Sequence, residues 1–467
     1  MPFAMKMKDG TRPGSPATVF ASFLHFDMCF TMWVLLGALG VFVAGALKLD
    51  DAQKGLMVAI PVLSGSLCRV PVGILGDRFG GKLVGIIMLV FLFIPLALGW
   101  LLDPSFPQLL IIGAMLGVAG SSFAIALPLA SRWYPPEKQG LVMGIAAAGN
   151  IGTVIAIIFA PVIAYAFTPA KLLPHKVAAV VVNGKTVTPA KIVYPAVPAP
   201  GGWHSVMGFT MIALVLVLIT FILMSKESPT RPKGFPITVY LSALKRANVW
   251  WFCLLYSITF GGFVGLGSYL TLFYNGQYGL PSVDKGFVTF ATASGLAALA
   301  AFMGSSLRPV GGYIADKIGG ARALTVLLAV VALVYGLAAL LVQFPRETLP
   351  YMVLVMTVGV ACLGMGNGAV FQMVPQSFRK EIGVVTGLVG CVGGLGGFVL
   401  PFLLGTVKQV TGSFSIGWLI LSVFVLFALI VLRVLMAKDS EWRTSWAITA
   451  QAEDVLEPVA VGIAEGN

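Results

Sequence analysis

The sequence predicts an all-α membrane protein whose twelve transmembrane helices form two pseudo-symmetric six-helix bundles. Hydrophobic residues make up 58% of the 467 residues, charged residues make up 10%, and the mean hydropathy is +0.95. Apolar runs long enough to cross about 30 Å of hydrocarbon recur along the whole chain. A phrase that begins with arginine in the second run is nearly repeated in the eighth. These observations exclude a soluble globular protein and indicate an internal repeat.

Hydropathy and turn-forming residues predict where the twelve spans lie. Their approximate bounds are 18–47, 55–76, 83–102, 107–131, 139–167, 205–225, 247–276, 285–315, 323–343, 349–375, 382–409 and 414–437. A basic stretch separates six spans from six. The predicted organisation is a bundle at 1–225, a cytoplasmic linker at 226–246, a bundle at 247–437 and a solvated cytoplasmic tail at 438–467.

Segment 168–204, between spans 5 and 6, differs in kind from the other connections. Residues 177–182, the pair Asn183-Gly184 and residues 185–188 are typical of a short β-hairpin on a tight turn. We expect this segment to be an extracytoplasmic cap or lid rather than a recognition site.

The distribution of basic residues predicts the orientation of the chain in the membrane. About 19 of the 30 lysines and arginines fall on the side of both termini, and about 9 fall on the other side. Because cytoplasmic loops are enriched in Lys and Arg, we expect a multi-pass protein of the plasma (cytoplasmic) membrane with both termini in the cytoplasm. The net charge of +12 therefore needs no nucleic-acid partner.

The two basic residues that remain, Arg69 and Arg308, lie inside apolar spans. They are 239 positions apart, and each precedes an aspartate, Asp77 or Asp316, by eight residues. Eight helical residues rise about 12 Å, which places each arginine near the middle of the membrane. A lone charge there costs about 2.5–3.5 kcal/mol. The repeated phrase therefore predicts an anion site, although a structural pair with carbonyl or acidic groups is the alternative.

Asp27 is the one carboxylate that falls well within a predicted span. A buried acid near an anion site could carry a proton together with the substrate. It could equally be a counter-ion to Arg69 or a hydrated residue near the cytoplasmic mouth. The sequence leaves these interpretations open.

Other classes of protein find little support in the sequence. The five cysteines lie in apolar stretches without metal-ligand spacing, and three histidines are too few for a metal cluster. The chain contains no GxxxxGK[ST] pattern for nucleotide binding. We therefore expect no metal, no cofactor and no enzymatic activity. An anion channel or a sensor would fit two repeated halves less well than alternating access does.

Residues 76–82, Gly-Asp-Arg-Phe-Gly-Gly-Lys, resemble the loop motif of the major facilitator superfamily, and residues 316–320 are a weaker copy. The resemblance implies that fold and a transporter that rocks between two conformations. It also implies that Asp77, Arg78 and Asp316 latch helix ends on the cytoplasmic side.

A finer resemblance, to the nitrate/nitrite porter family, covers essentially all twelve spans. It rests on Arg69 in residues 67–71, Arg308 in residues 307–309 and the glycine-rich stretches 144–152 and 387–398. The resemblance implies a substrate pocket of Arg69, Arg308, Tyr256, Asn150, Phe123, Phe260 and Phe371, with Phe26 as a weaker match. It further implies gating or helix packing by Gly144, Gly149, Gly152, Gly390, Gly393, Gly394 and Gly397. Gly394 stands where the first stretch has Asn150, so the amide is lost there.

These residues predict a monomeric secondary transporter of nitrate and/or nitrite surrounded by membrane lipid. Two guanidinium groups can present paired N–H donors to a flat oxyanion, which lysine cannot do. Nitrate/nitrite exchange and proton-coupled nitrate symport both remain open. The alternative is a carrier of another small anion, such as an organic phosphate or a carboxylate.

Overall fold

A computed structural model describes residues 14–134, 142, 146–177, 180–182, 185–188, 191–227, 244–378 and 382–445. Gly144, most of the linker 226–246 and residues 446–467 lie outside this part. Within it, ten helices are long and apolar enough to cross a membrane. They are Asp51–Phe79, Gly81–Leu101, Phe106–Ser131, Ala148–Ala166, Gly202–Met224, Ala247–Tyr278, Gly320–Leu341, Glu347–Ser377, Val385–Thr411 and Ser415–Lys438. They correspond to predicted spans 2–7 and 9–12.

The other two predicted spans, 1 and 8, are broken helices. Span 1 consists of Pro16–Trp33, Leu35–Ala38 and Gly40–Ala46. Span 8 consists of Ala293–Ser306 and Arg308–Ile318, so the prediction that it begins at 285 was too early. Pro309 has no backbone N–H and cannot bond to the preceding turn, which accounts for the break before Arg308.

The two bundles repeat the same turn after the arginine-containing helices. Gly80 follows the helix Asp51–Phe79 with φ 102° and ψ 140°, and Gly319 follows Arg308–Ile318 with φ 91° and ψ 136°. Each glycine lies eleven residues after its arginine. A side chain at these positive φ values would be strained, so glycine is the residue that allows the chain to reverse there.

The molecule has two opposite faces. The two bundles contact each other both at one of these faces and deeper inside the molecule. The terminal face carries Gly14, Ser445 and the Gly80 and Gly319 turns; the loop face carries segment 168–204. At the loop face the Asp51 N–H donates to the side chain of Gln409 at 3.0 Å. Deeper contacts between the bundles occur at the level of the arginines.

Segment 168–204 forms the predicted hairpin, and its ladder is longer than predicted. Strand β2, Val180–Val182, pairs antiparallel with β3, Lys185–Thr188, and β1, His175–Val177, pairs with β4, Lys191–Val193. The turn residues 183–184 lie outside the described part.

Tyr194, directly after β4, connects the hairpin to the opposite bundle. Its ring packs edge-on against Phe42 with centroids 5.0 Å apart, and its hydroxyl accepts a hydrogen bond from the Ser282 N–H at 2.9 Å. Burial raises the pKa of the Tyr194 phenol, so the hydroxyl stays protonated. Segment 168–204 therefore links the two bundles across the loop face.

The prediction of a solvated tail was wrong for its first residues. Ser440–Thr444 form a short helix in which Trp442 is fully buried. Its Nε1 donates to the Asn248 side chain at 3.1 Å, and its ring stacks on Phe252 at 4.9 Å. The prediction failed because it was based on the polar composition of the tail, in which Trp442 is a single buried aromatic residue.

Candidate anion-binding site

Arg69 lies in the helix Asp51–Phe79 and is 1% exposed. Its Nε donates to the carbonyl oxygen of Gly120 at 3.1 Å, and its Nη1 donates to the carbonyl oxygen of Gly390 at 2.5 Å. Gly120 belongs to the first bundle and Gly390 to the second, so this cation bridges the bundles. In the part of the chain that the structure describes, its Nη2 has no hydrogen-bond partner.

The acceptor for Nε comes from an irregular turn in span 4. The helix Phe106–Gly117 passes into a 3₁₀ turn, Val118–Ser122, before Phe123–Ser131 resumes the α-helix. A 3₁₀ stretch in the middle of a helix often marks a functional hinge or a strained position. Gly120 lies within this turn, where its carbonyl meets Arg69.

Aromatic rings enclose the Arg69 guanidinium. Its Cζ lies 5.3 Å from the ring centroid of Trp33, 5.2 Å from that of Phe123 and 4.7 Å from that of Phe260. Cation–π contacts of this kind are worth about 2 kcal/mol when desolvated. Together with the two carbonyl bonds, they offset part of the cost of burying this charge.

The predicted pocket aromatics come together as one wall. Tyr256 stacks on Phe260 with centroids 4.9 Å apart and meets Phe371 edge-on, also at 4.9 Å. Phe123 lies edge-on to Phe371 at 5.8 Å, and Phe26 lies 6.1 Å from Phe123. The wall therefore combines residues of both bundles.

Arg308 is the first residue of the helix Arg308–Ile318 and is 9% exposed. Its Cζ lies 5.9 Å from the ring centroid of Phe371. Its Nη1 has no hydrogen-bond partner among the described residues. The two guanidinium groups repel each other, and no described Asp or Glu lies within 4.0 Å of either. Two such cations beside apolar rings have the charge and the free N–H donors that binding of a small anion requires.

Two neutral polar residues of the predicted pocket lie near the spans that carry the arginines. Tyr256 is fully buried, and its hydroxyl lies within hydrogen-bond reach of Arg308 and interacts electrostatically with both guanidinium groups. Asn150 lies in the 3₁₀ turn Ala148–Ile151, and its backbone carbonyl accepts a bond from the Ser305 hydroxyl at 3.4 Å. For the residues described, the Asn150 Oδ1 has no partner. Asn150 thus lies where span 5 meets span 8, because Ser305 precedes Arg308 by three residues.

The glycines of the two glycine-rich stretches allow close approach of other groups. A Cβ at Gly149 or Gly152 would overlap the Asp27 backbone in span 1. A Cβ at Gly393 would overlap the Tyr256 ring, and one at Gly390 would lie 3.4 Å from the Arg69 Nη1. Similar tight contacts join Gly394 to Ser66 and Gly397 to Val62. These glycines therefore shape the pocket as well as pack the helices, while Gly144 lies outside the described residues.

Asp27 faces span 5 and not Arg69. Its carboxylate accepts a hydrogen bond from the Gly152 N–H, while its Oδ1 has no partner in the described part of the chain. In the described part of the chain, Asp27 and Arg69 do not form an ion pair. This geometry argues against the counter-ion interpretation and leaves a half-buried acid against the stretch that contains Asn150.

The predicted latch residues differ between the bundles. Asp77 forms an ion pair with Arg132 at 2.6 Å, which ties span 2 to the end of span 4. Asp316, at the matching position, accepts a hydrogen bond from the neutral side chain of Gln372. The Arg78 Cζ lies 5.6 Å from the Phe79 ring centroid. The contact of Asp77 is therefore ionic and that of Asp316 is neutral.

Sequence reasoning missed three contributors to the site: Trp33, Gly120 and the Gly390 carbonyl. Trp33 lies seven residues after Phe26, which puts both on one helical face. Gly120 belongs to a Gly-Ser-Ser-Phe phrase that a Gly-Ala-Val-Phe phrase at 368–371 echoes. The carbonyl contacts have no signal in the sequence, because any residue supplies a carbonyl.

Comparison with known proteins identifies the class. The family model described as Major Facilitator Superfamily matches residues 21–401. In fold, the chain resembles a bacterial homolog of the human lysosomal transporter Spinster in an inward-facing, occupied conformation. The TM-score is 0.64 with 17% identity, over 91% of this chain and 97% of that chain.

The curated relatives narrow the class. The "Probable nitrate/nitrite antiporter NarK1" of Thermus thermophilus is 31% identical over 94% of this chain and 96% of its own length. The "Nitrite extrusion protein" of Bacillus subtilis is 33% identical over 84% of this chain and 87% of its own. The chain therefore belongs to the major facilitator superfamily and, within it, to the nitrate/nitrite porter family. It is a multi-pass membrane transporter and not an enzyme.

Proposed function

We propose that this chain is a secondary active transporter that moves nitrate, nitrite or both by alternating access around Arg69 and Arg308. The observation that carries the proposal is the pair of buried guanidinium groups with unpartnered N–H donors, which no described carboxylate neutralises. The relatives' names, which refer to nitrate and nitrite, support the choice of anion.

The site favours a small, flat oxyanion. The Arg69 Nη2 and the Arg308 Nη1 are the donors that remain for an anion lying between them. Charge-assisted hydrogen bonds are roughly twice as strong as neutral ones, and a dry aromatic wall strengthens them further. The rings of Phe260 and Phe371, which contact the two guanidinium groups, offer no hydrogen bond to the polar substituents of a larger organic anion. Tyr256 adds a neutral donor for a third oxygen.

The positive-inside bias predicts a carrier in the plasma (cytoplasmic) membrane with its loop face outside and both termini in the cytoplasm. The Tyr194 and Asp51 contacts close the loop face in this conformation. Reorientation must break them and the Arg69–Gly390 bond, since all three join the two bundles. The carrier works as a monomer, because one chain supplies both arginines.

Two modes of coupling fit this charge arrangement. Without an anion, two adjacent buried cations resist reorientation, which favours exchange of nitrate for nitrite. A proton on Asp27 would instead accompany nitrate in symport. Asp27 lies within hydrogen-bond reach of Gly152 in the stretch that contains Asn150, so its protonation acts next to the pocket.

The test is uptake of labelled nitrate into proteoliposomes, with and without internal nitrite, at imposed pH gradients. Exchange requires internal nitrite and ignores the pH gradient. Symport proceeds on an inward proton gradient without internal nitrite and is lost in Asp27→Asn. Arg322→Lys, an exposed arginine outside the site, is the matched control for Arg69→Lys and Arg308→Lys.

The proposal fails if no saturable nitrate uptake occurs under either regime. It also fails if both site lysine variants transport at the rate of Arg322→Lys. Inhibition by small organic phosphates or carboxylates at lower concentrations than by nitrite would reassign the substrate to another anion.

A further inference from the structure

Trp33 contacts Arg69, although it is not one of the predicted pocket residues. It ends the helix Pro16–Trp33 and is 1% exposed. Its Nε1 donates to the Pro61 carbonyl at 2.8 Å, and its ring lies 5.3 Å below the Arg69 Cζ. The indole is thus anchored at its polar end while its face contacts the cation.

Two glycines form a socket for this indole. A Cβ at Gly65, four residues before Arg69, would lie 2.6 Å from the Trp33 Nε1. A Cβ at Gly120 would overlap the indole ring itself. Gly120 is also the residue whose carbonyl accepts from the Arg69 Nε. The indole therefore contacts the Arg69 guanidinium directly, and it also packs against the residue whose carbonyl accepts from the Arg69 Nε.

The second bundle repeats half of this socket, with a different ring. Gly304 lies four residues before Arg308, and a Cβ there would lie 2.8 Å from the Phe263 ring. Phenylalanine has no N–H to anchor it and a weaker face for a cation. In the described residues, the cation–π contact of Arg308 is with Phe371 and not with Phe263. Of the two arginines, only Arg69 therefore contacts an indole in the described residues.

We propose that Trp33 is the positioning residue for Arg69. It holds the guanidinium with Nε and Nη1 on the two carbonyls, so that Nη2 points away from them toward the anion. It does not touch the anion. The inference rests on the proposed function for its transport readout, but its structural readout requires no substrate.

The experiment compares Trp33→Phe with Trp418→Phe. Trp418 is fully buried in the second bundle between Phe273 and Tyr335, and no described cation lies over its ring. Trp33→Phe reproduces the ring of the second socket. We expect the KM for nitrate to rise about three- to thirtyfold, while Vmax and the melting temperature match those of Trp418→Phe.

The substrate-free readout is the rate at which phenylglyoxal modifies Arg69, followed by peptide mass spectrometry without anion. We expect at least threefold faster modification in Trp33→Phe than in Trp418→Phe. If Trp33→Phe does not fold, Trp33→Tyr, which retains a donor on the ring, replaces it in both measurements. If the wild type shows no saturable uptake, the proposed function fails and the modification rate alone decides the role of Trp33. An unchanged modification rate, or an unchanged KM in an active carrier, overturns the proposal.

Discussion

Arg69 and Arg308 begin nearly the same phrase, yet the two bundles surround them differently. Arg69 donates to two backbone carbonyls and contacts three aromatic rings. Arg308 contacts one ring and the Tyr256 hydroxyl, and it starts a new helix after a break at Leu307. The repeat therefore preserves the charge but not its support. In the proposed anion site, we therefore expect Arg69 to be the more rigidly held of the two cations.

The largest effect should come from replacing each arginine by lysine. Lysine keeps the charge but cannot form the fork of N–H donors. Arg69→Lys loses the two charge-assisted bonds that Arg69 donates to the Gly120 and Gly390 carbonyls, each worth about 1.5–3 kcal/mol. Nitrate uptake should therefore fall about a hundredfold or more. Arg308→Lys should lose only about tenfold, since it has fewer protein contacts to break. Initial uptake rates in proteoliposomes measure both, and equal losses would remove the distinction between the two arginines.

A second test concerns the glycines that follow Arg308. A Cβ at Gly311 would overlap the Met365 backbone in span 10, whereas nothing lies closer than 3.9 Å to one at Gly312. Gly311→Ala should therefore destabilise the protein by about 1–3 kcal/mol, with little change in Gly312→Ala.

The first bundle has Val72 at the position that matches Gly311, so the close helix contact is a property of the second bundle. Apparent melting temperatures in detergent measure the difference between the two alanine variants. If both variants melted at the wild-type temperature, the helices around Arg308 would not be packed as described.

The smallest effect is expected at the two latches. Asp77→Asn replaces an ion pair with Arg132 whose side chains are 16% and 21% exposed, so the loss is about 0.5–1 kcal/mol. Asp316→Asn should be nearly neutral, because asparagine can still accept from Gln372. Melting temperatures at low and high salt check this pair. Only Asp77→Asn should weaken the salt dependence, and the reverse pattern would contradict an ionic first latch.

Much of the fold and the charged centre could be predicted from the sequence, because both have strong local signals. A permanent cation in an apolar run reveals the level of the site, and the repeated Gly-Gly turns reveal the symmetry. The aromatic wall needed the family resemblance, since phenylalanine is common in membrane spans. Gly120 and Gly390 act through carbonyl groups, and Trp442 is one anchor in a polar tail. Such contacts depend on tertiary packing, which composition does not encode.

The central claim is that the two arginines together bind one small anion. Calorimetric titration of nitrate into the purified protein tests it most directly, with Arg322→Lys as the control for Arg69→Lys and Arg308→Lys. We expect one nitrate per chain in the wild type and in Arg322→Lys, and at least tenfold weaker binding in each site variant. Unchanged affinity in both site variants, or two independent nitrates per chain, would contradict a shared site.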